Sequence, residues 1–259
     1  MNEPRPAATV VVARVLPHDD GFEVYLVKRH GRAGFMAGAH VFPGGRVDDD
    51  DAHWDLDPFA VAAVRETFEE CGVLLARHES GLPMTSSSLV DAVSARVAGG
   101  ETFRSALLSV GLSPDVEALT PIAWWITPEA EPKRFDTRFF FAQIPAWQRD
   151  RADVDGDEVT EGLWSTPRAA LEAYARRDIA LAPPTLATLE DLADVPSLGA
   201  VRKASWVLRP ILPVIIEAQG GMVLALPGDP LHDEPEAVSE RRTRFVVDED
   251  GRFRSRRER

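Results

Sequence analysis

The chain has 259 residues, of which 44% are hydrophobic and 27% charged, with 20 Pro and 18 Gly. That composition and length suit a globular protein with a full-sized core and exclude a disordered or fibrous chain. With 29 Lys plus Arg against 42 Asp plus Glu the formal charge is -13, so nucleic acid and anionic membrane surfaces are repelled, and any anionic ligand must be held locally by cations or a metal.

The elements are expected in the following order. Thr9 to Leu16 and Phe22 to Arg29 are β-branched runs joined by Pro17 to Gly21, a hairpin composition. A glycine-rich connection, Gly31 to Gly38, leads to His40-Val-Phe42 and the turn Pro43-Gly44-Gly45. Asp48 to Asp57 holds six Asp and no base and reads as a solvated loop. Residues 58 to 76 read as a helix running past Gly72, and residues 86 to 111 as two short helices around Gly99-Gly100. Strands are expected at Ile122 to Ile126, Thr137 to Ile144 and Val159 to Trp164, then a helix from Pro167 to Arg177 capped by Thr166. One or two helices follow Pro183-Pro184, and Val214 to Glu217 with Met222 to Leu226 form a second hairpin. From about residue 234 the chain turns polar and is expected to be loosely ordered at its very end; Arg241 to Arg259 carries eight Arg against four acids and reads as a solvated terminus. Strands interleaved with helices point to an α+β or α/β sandwich.

The single cysteine, Cys71, excludes an internal disulfide and a cysteine metal cluster and fits a cytoplasmic location. Arg14 interrupts the first apolar run, and Arg209, Pro210 and Pro213 break the stretch Trp206 to Ile216, so neither a signal peptide nor a membrane span is expected.

The informative segment is the helix carrying Arg65-Glu66-Thr67-Phe68-Glu69-Glu70-Cys71-Gly72-Val73. At about 100° per residue, Val61, Val64, Phe68 and Cys71 form an apolar stripe, and Glu66, Glu69 and Glu70 gather on the opposite side. Three carboxylates at these spacings repel one another. Either the face is simply solvated, or something positive sits there: Arg65 reaches Glu69 at i+4, and a hard divalent cation satisfies such a cluster better.

That segment resembles the second half of the Nudix box, matching eight of nine places, with Phe42-Pro43-Gly44-Gly45 as its opening. Gly45 stands 20 residues before Arg65, so six residues are inserted, and the place of the box's first Glu, counted back from Arg65, holds Asp57. Arg29, Gly38 and Phe42 to Gly45 keep the spacing of a signature found in coenzyme A diphosphatases, with Gly34 in place of its second Arg. The segments Gly34 to Gly45, Arg65 to Leu75, Trp125-Ile-Thr-Pro128, Arg134 to Phe140 and Ala182-Pro-Pro184 look like the branch that includes the peroxisomal coenzyme A diphosphatases.

The resemblance implies an α/β/α sandwich: a mixed β-sheet flanked by helices, with the Nudix domain over 1–180, its helical insert at about 86–111, and a helical and hairpin extension over 181–259. It implies hydrolysis of a pyrophosphate bond in a small-molecule nucleotide conjugate, first of all coenzyme A or an acyl derivative. ADP-ribose, a dinucleotide and a non-catalytic nucleotide sensor are the alternatives. Mg²⁺ or Mn²⁺ would be held by Glu66, Glu69, Glu70 and the carbonyl of Gly44, with Arg65 orienting a glutamate. Glu158 and Glu161 are candidates for a further ligand or general base. Arg29, Lys133, Arg134 and Arg138 are candidate phosphate contacts, each of which also suits a surface or ion-pair role. Trp124, Trp125 and Phe139 to Phe141 suit either a stacked adenine or the core, and His40 a structural place. No nucleic acid or membrane partner is expected, and relatives of this kind commonly form homodimers. The terminal Arg-Arg-Glu-Arg259 is not a peroxisomal Ser-Lys-Leu type signal.

Overall fold

The run Val10 to Ala13 lies in the central strand β1 (Arg5–Val15). Val10 and Val12 join one core cluster and Val11 and Ala13 another, as a strand covered on both faces requires. The computed structural model describes residues 2–17, 21–29, 38–149, 151, 159–218 and 221–258. β2 (Phe22–Arg29) pairs antiparallel with the end of β1, and β3 (His40–Val41) lines its outer edge. β4 (Gly44–Arg46) returns antiparallel beside the start of β1, pairing Ala8 with Gly45. A 3-10 turn, Asp49–His53, then leads to helix α1 (Pro58–Cys71).

The inserted helices α2 (Ser87–Ala98) and α3 (Phe103–Ser109) stand between two short strands, β5 (Ala76–His78) and β6 (Leu112–Pro114), whose pairing closes the base of the insert. β7 (Leu119–Ile126) and β8 (Phe135–Gln143) pair antiparallel, and β8 lies parallel to β1 over its whole length. β9 (Val159–Ser165) pairs with β2. The result is a mixed seven-stranded sheet of order β3-β2-β1-β8-β7, with β4 beside β1 and β9 beside β2. Helices α4 (Pro167–Arg176), α5 (Pro183–Leu192) and α6 (Leu198–Lys203) follow. Strands β10 (Val214–Ala218), β11 (Gly221–Ala225), β12 (Arg244–Val247) and β13 (Phe253–Arg256) make a second, antiparallel sheet.

α1 to α3 cover one face of the large sheet, while α4 to α6 and the second sheet cover the other. Among the described residues no helix is long and apolar enough to cross a membrane. α1 is buried on two sides. Ala62 and Ala63, both fully buried, let it lie close against fully buried Ala8 of the sheet, and Phe68 meets Phe103 of the insert at 5.5 Å between ring centroids.

Three expectations are corrected. α1 stops at Cys71 and not past Gly72, because Gly72 takes a left-handed φ of 67° and its N–H closes on the Phe68 carbonyl at 2.8 Å, an end that glycine adopts without strain. The Arg-rich tail is not simply a solvated terminus: β12 and β13 bury Phe245 and Phe253, and Arg242 is 3% exposed. Its Nε and two Nη groups reach Glu190 at 3.0 Å and Asp191 at 3.0 and 2.6 Å on α5. The Asp-rich loop is not wholly solvated, since Asp51 is 2% exposed.

Candidate active site

Helix α1 begins with Asp57 accepting from the Phe59 N–H at 3.0 Å and Pro58 in the first turn, an N-terminal arrangement that leaves few donors unsatisfied. Asp57, at the box's first acidic place, is therefore a helix cap. The partner of Arg65 is Asp51: Nε donates to one carboxylate oxygen at 3.0 Å and Nη2 to the other at 2.9 Å. Nη2 also donates to the Arg46 carbonyl at 2.7 Å, while Nη1 reaches Glu66 at 2.8 Å and Glu69 at 2.9 Å. All five guanidinium N–H groups are thus engaged. Burial works against the charge on Arg65, but hydrogen bonding from Asp51 and the fields of Glu66, Asp51 and Glu69 outweigh it and raise its pKa further.

The strand β4 sets the glutamates from the other side. Gly44 donates its N–H to Glu70 at 2.9 Å. Gly45 lies so close to Glu66 that a Cβ there would stand 2.3 Å from its Oε1, and a Cβ on Gly44 would stand 2.3 Å from the Ala8 carbonyl oxygen. The two glycines are there for close approach. Burial pushes the Glu66 carboxyl up to about 7 against the pull of Arg65, with Glu69 and Asp48 pushing the same way. Glu69 is raised as well, by burial first and by Asp48 and Asp51, against Arg65.

Among the described residues no three His, Cys, Asp or Glu side chains stand as a ready metal-ligand group; Glu66 and Glu69 turn toward Arg65, and Glu70 toward Gly44. The donor set nevertheless fits a hard cation. One guanidinium faces Asp48, Asp51, Glu66 and Glu69, so negative charge is in excess, and all the donors are carboxylate oxygens.

The other candidates scatter. Glu161 is exposed and meets Lys28 at 3.4 Å, while Glu158 lies outside the described residues. His40 is 5% exposed, and burial together with the charge of Lys28 lowers its pKa. Arg29 and Lys133 are exposed. Arg134 is buried and spends Nε on the Thr127 carbonyl and Nη1 on the Asn2 carbonyl, at 3.2 and 3.0 Å, so it fastens the chain start and drops from the phosphate contacts. Arg138 lies over Trp124, 3.3 Å from the ring centroid, and 5.0 Å from that of Phe59. Trp125, Phe139, Phe140 and Phe141 are core residues and offer no stacking face for a nucleotide.

Sequence reasoning misses four residues. Asp51 is hidden among five other Asp of its loop. Gln148, fully buried, accepts from the Leu74 N–H at 2.9 Å and donates to its carbonyl at 2.8 Å, fixing the chain after α1 from 74 residues away. Trp54 and Arg104, in cation–π contact at 5.4 Å, line a cleft of about 450 Å³ beside Glu69. A lone tryptophan and a lone arginine carry no local signal.

A family model described as the NUDT19 Nudix domain matches residues 54–192. The human acyl-coenzyme A diphosphatase NUDT19 is 30% identical over 283 residues, covering 84% of this chain and 74% of that one. A putative nudix hydrolase 7 of Caenorhabditis elegans is 31% identical over 245 residues, covering 91% of this chain and 77% of that one. The crystal structure of a NUDIX hydrolase from Alicyclobacillus acidocaldarius superposes with a TM-score of 0.67 at 30% identity, covering 80% of this chain and 98% of that one.

Proposed function

This chain belongs to the NUDT19 Nudix domain family of hydrolases, and from that premise we propose that it is a metal-dependent diphosphatase acting on coenzyme A or an acyl-coenzyme A. The products are 3′,5′-ADP and 4′-phosphopantetheine, acylated where the substrate was. The name of the human relative, an acyl-coenzyme A diphosphatase, supports the substrate class.

The observation that carries the reading is the charge balance around Arg65, one guanidinium against four carboxylates with Glu70 one residue beyond Glu69. Mg²⁺ or Mn²⁺ suits that surplus, with Glu66, Glu69, Glu70 and the Gly44 carbonyl as its holders. The chemistry such a cation would supply, if held there, is charge neutralisation at the pyrophosphate and a lowered pKa for the attacking water. The chain's own part is positioning: Arg65 orients Glu66 and Glu69, Asp51 orients Arg65, and the Gly44 N–H orients Glu70.

Incubation of the protein with coenzyme A and Mg²⁺, followed by product chromatography, tests the reading. Equimolar 3′,5′-ADP and 4′-phosphopantetheine are expected. AMP released faster from ADP-ribose or a dinucleotide would move the substrate class, and nucleotide binding without turnover would make the protein a sensor.

A further inference from the structure

The cleft beside Glu69 is bounded on one side by the Asp-rich loop and α1, and on the other by the end of α2 and the start of α3. Its volume of about 450 Å³ is in the range of small-ligand sites. Most charges on its walls already have partners. Asp51 and Glu69 share Arg65, Glu101 pairs with Arg96 at 2.8 Å, and Asp50 meets His53 at 3.2 Å.

Arg104 differs. Among the described residues it makes no ion pair, and its Nε is buried without a hydrogen-bond partner. Its guanidinium carbon stands 5.4 Å from the Trp54 ring centroid, a cation–π contact that holds the group in place without using its N–H donors. Arg104 is half-buried, and its one buried N–H without an acceptor carries a cost that an arriving acceptor removes. Its planar fork suits phosphate oxygens. Glu69, one of the proposed metal holders, lines the same cleft.

We infer that Arg104, presented by the helical insert and steadied by Trp54, binds a phosphate group of the nucleotide conjugate across the cleft from Glu69. The identity of the ligand rests on the diphosphatase reading; the existence of the anion site rests on the cleft and the unpaired guanidinium. The acidic wall opposite means that the phosphate enters together with a divalent cation and not alone.

Calorimetric titration with ADP in the presence of Mg²⁺ tests this without requiring turnover, since ADP carries a diphosphate and stands in for the substrate. Arg104→Gln is expected to weaken binding roughly tenfold to a hundredfold, and Trp54→Leu by a smaller factor. Arg104→Lys, which keeps the charge and loses the fork, is expected to fall between wild type and Arg104→Gln, with a melting temperature like that of wild type. ADP affinity within twofold of wild type in Arg104→Gln, or no ADP binding by the wild type, overturns the inference. Should Arg104→Gln fail to fold, Arg104→Lys with unaltered ADP affinity and unaltered salt dependence overturns it equally. A wild type that binds ADP with Mg²⁺ through Arg104 but cleaves no coenzyme A derivative sinks the diphosphatase reading and leaves the anion site standing.

Discussion

Asp51 and Arg65, fourteen residues apart, form a bidentate pair in which the carboxylate is 2% exposed and takes Nε and Nη2 at 3.0 and 2.9 Å. The pair sits beneath the catalytic candidates and decides where Nη1 points, and so where Glu66 and Glu69 are held. Removing one partner of a buried pair strands the other. Asp51→Ala is expected to cost about 3–5 kcal/mol in denaturant unfolding and to lower kcat. Asp57→Ala, which removes only a helix cap, is expected to cost about 1 kcal/mol. Equal losses from both variants would mean that Asp51 has no special hold on Arg65.

Glu69→Gln and Glu70→Gln are each expected to slow turnover by roughly 10² or more, through loss of charge that stabilises the transition state. Their melting temperatures without metal should stay near or above that of wild type, because each removes a charge from an overcrowded acidic face. Near-normal turnover in both variants removes the box glutamates from the mechanism.

The Glu66 carboxyl, pushed up to about 7 by burial, is about half protonated at neutral pH in the metal-free protein. A cation favours the carboxylate, so metal binding at pH 7 should release protons, more at pH 6 and almost none above pH 8. The stability sign follows from the same shift. The folded state holds this proton more tightly than the unfolded chain, so metal-free stability falls as pH rises from the ordinary carboxylate pKa through 7, and added cation opposes the fall. Calorimetry in buffers of different ionisation enthalpy measures the release, and Glu66→Gln should reduce it, with Glu69, whose carboxyl is also raised, supplying the remainder.

The two glycines of β4 should respond differently to a methyl group. On Gly45 the clash is with the end of the Glu66 side chain, which can move, so Gly45→Ala should fold and lose kcat. On Gly44 the clash is with the Ala8 carbonyl of the central strand; Gly44→Ala is expected to lose about 3 kcal/mol or more. Circular dichroism melts and kcat measured side by side distinguish the two, and an active Gly45→Ala would dissociate Glu66 placement from catalysis.

Arg242→Ala is expected to lower the melting temperature by roughly 5–10 °C, from about 3 kcal/mol lost with Glu190 and Asp191 left unpaired. Arg242→Lys should recover little of it, because an ammonium cannot reproduce the fork that meets both acids and the Ala187 carbonyl. A melt unchanged in Arg242→Ala would return the tail to the role of a solvated terminus.

Much of this protein was legible in one dimension. Helix periodicity placed Glu66, Glu69 and Glu70 together, proline and capping residues marked the starts of α1 and α4, and β-branched runs located β1 and β2, because these features depend on neighbours three or four residues away. Gly72 was visible too, but not its left-handed φ, and the helix was drawn too long for that reason.

What tertiary structure decided is the choice of partner. Nothing local separates Asp51 from the other Asp around it, Arg242 from the other Arg of the tail, or Arg104 from any helix-surface arginine. Asp51 became a buried anchor because β4 and α1 bring Arg65 over it, and Arg242 did so because α5 meets β12 more than fifty residues away. Arg134, which composition placed with the phosphate contacts, was claimed by two backbone carbonyls. Charge and spacing along the chain therefore determined which groups the protein has for its chemistry. Burial, set by which elements pack together, determined which of those charges are paired, which are desolvated, and which stay open to a ligand.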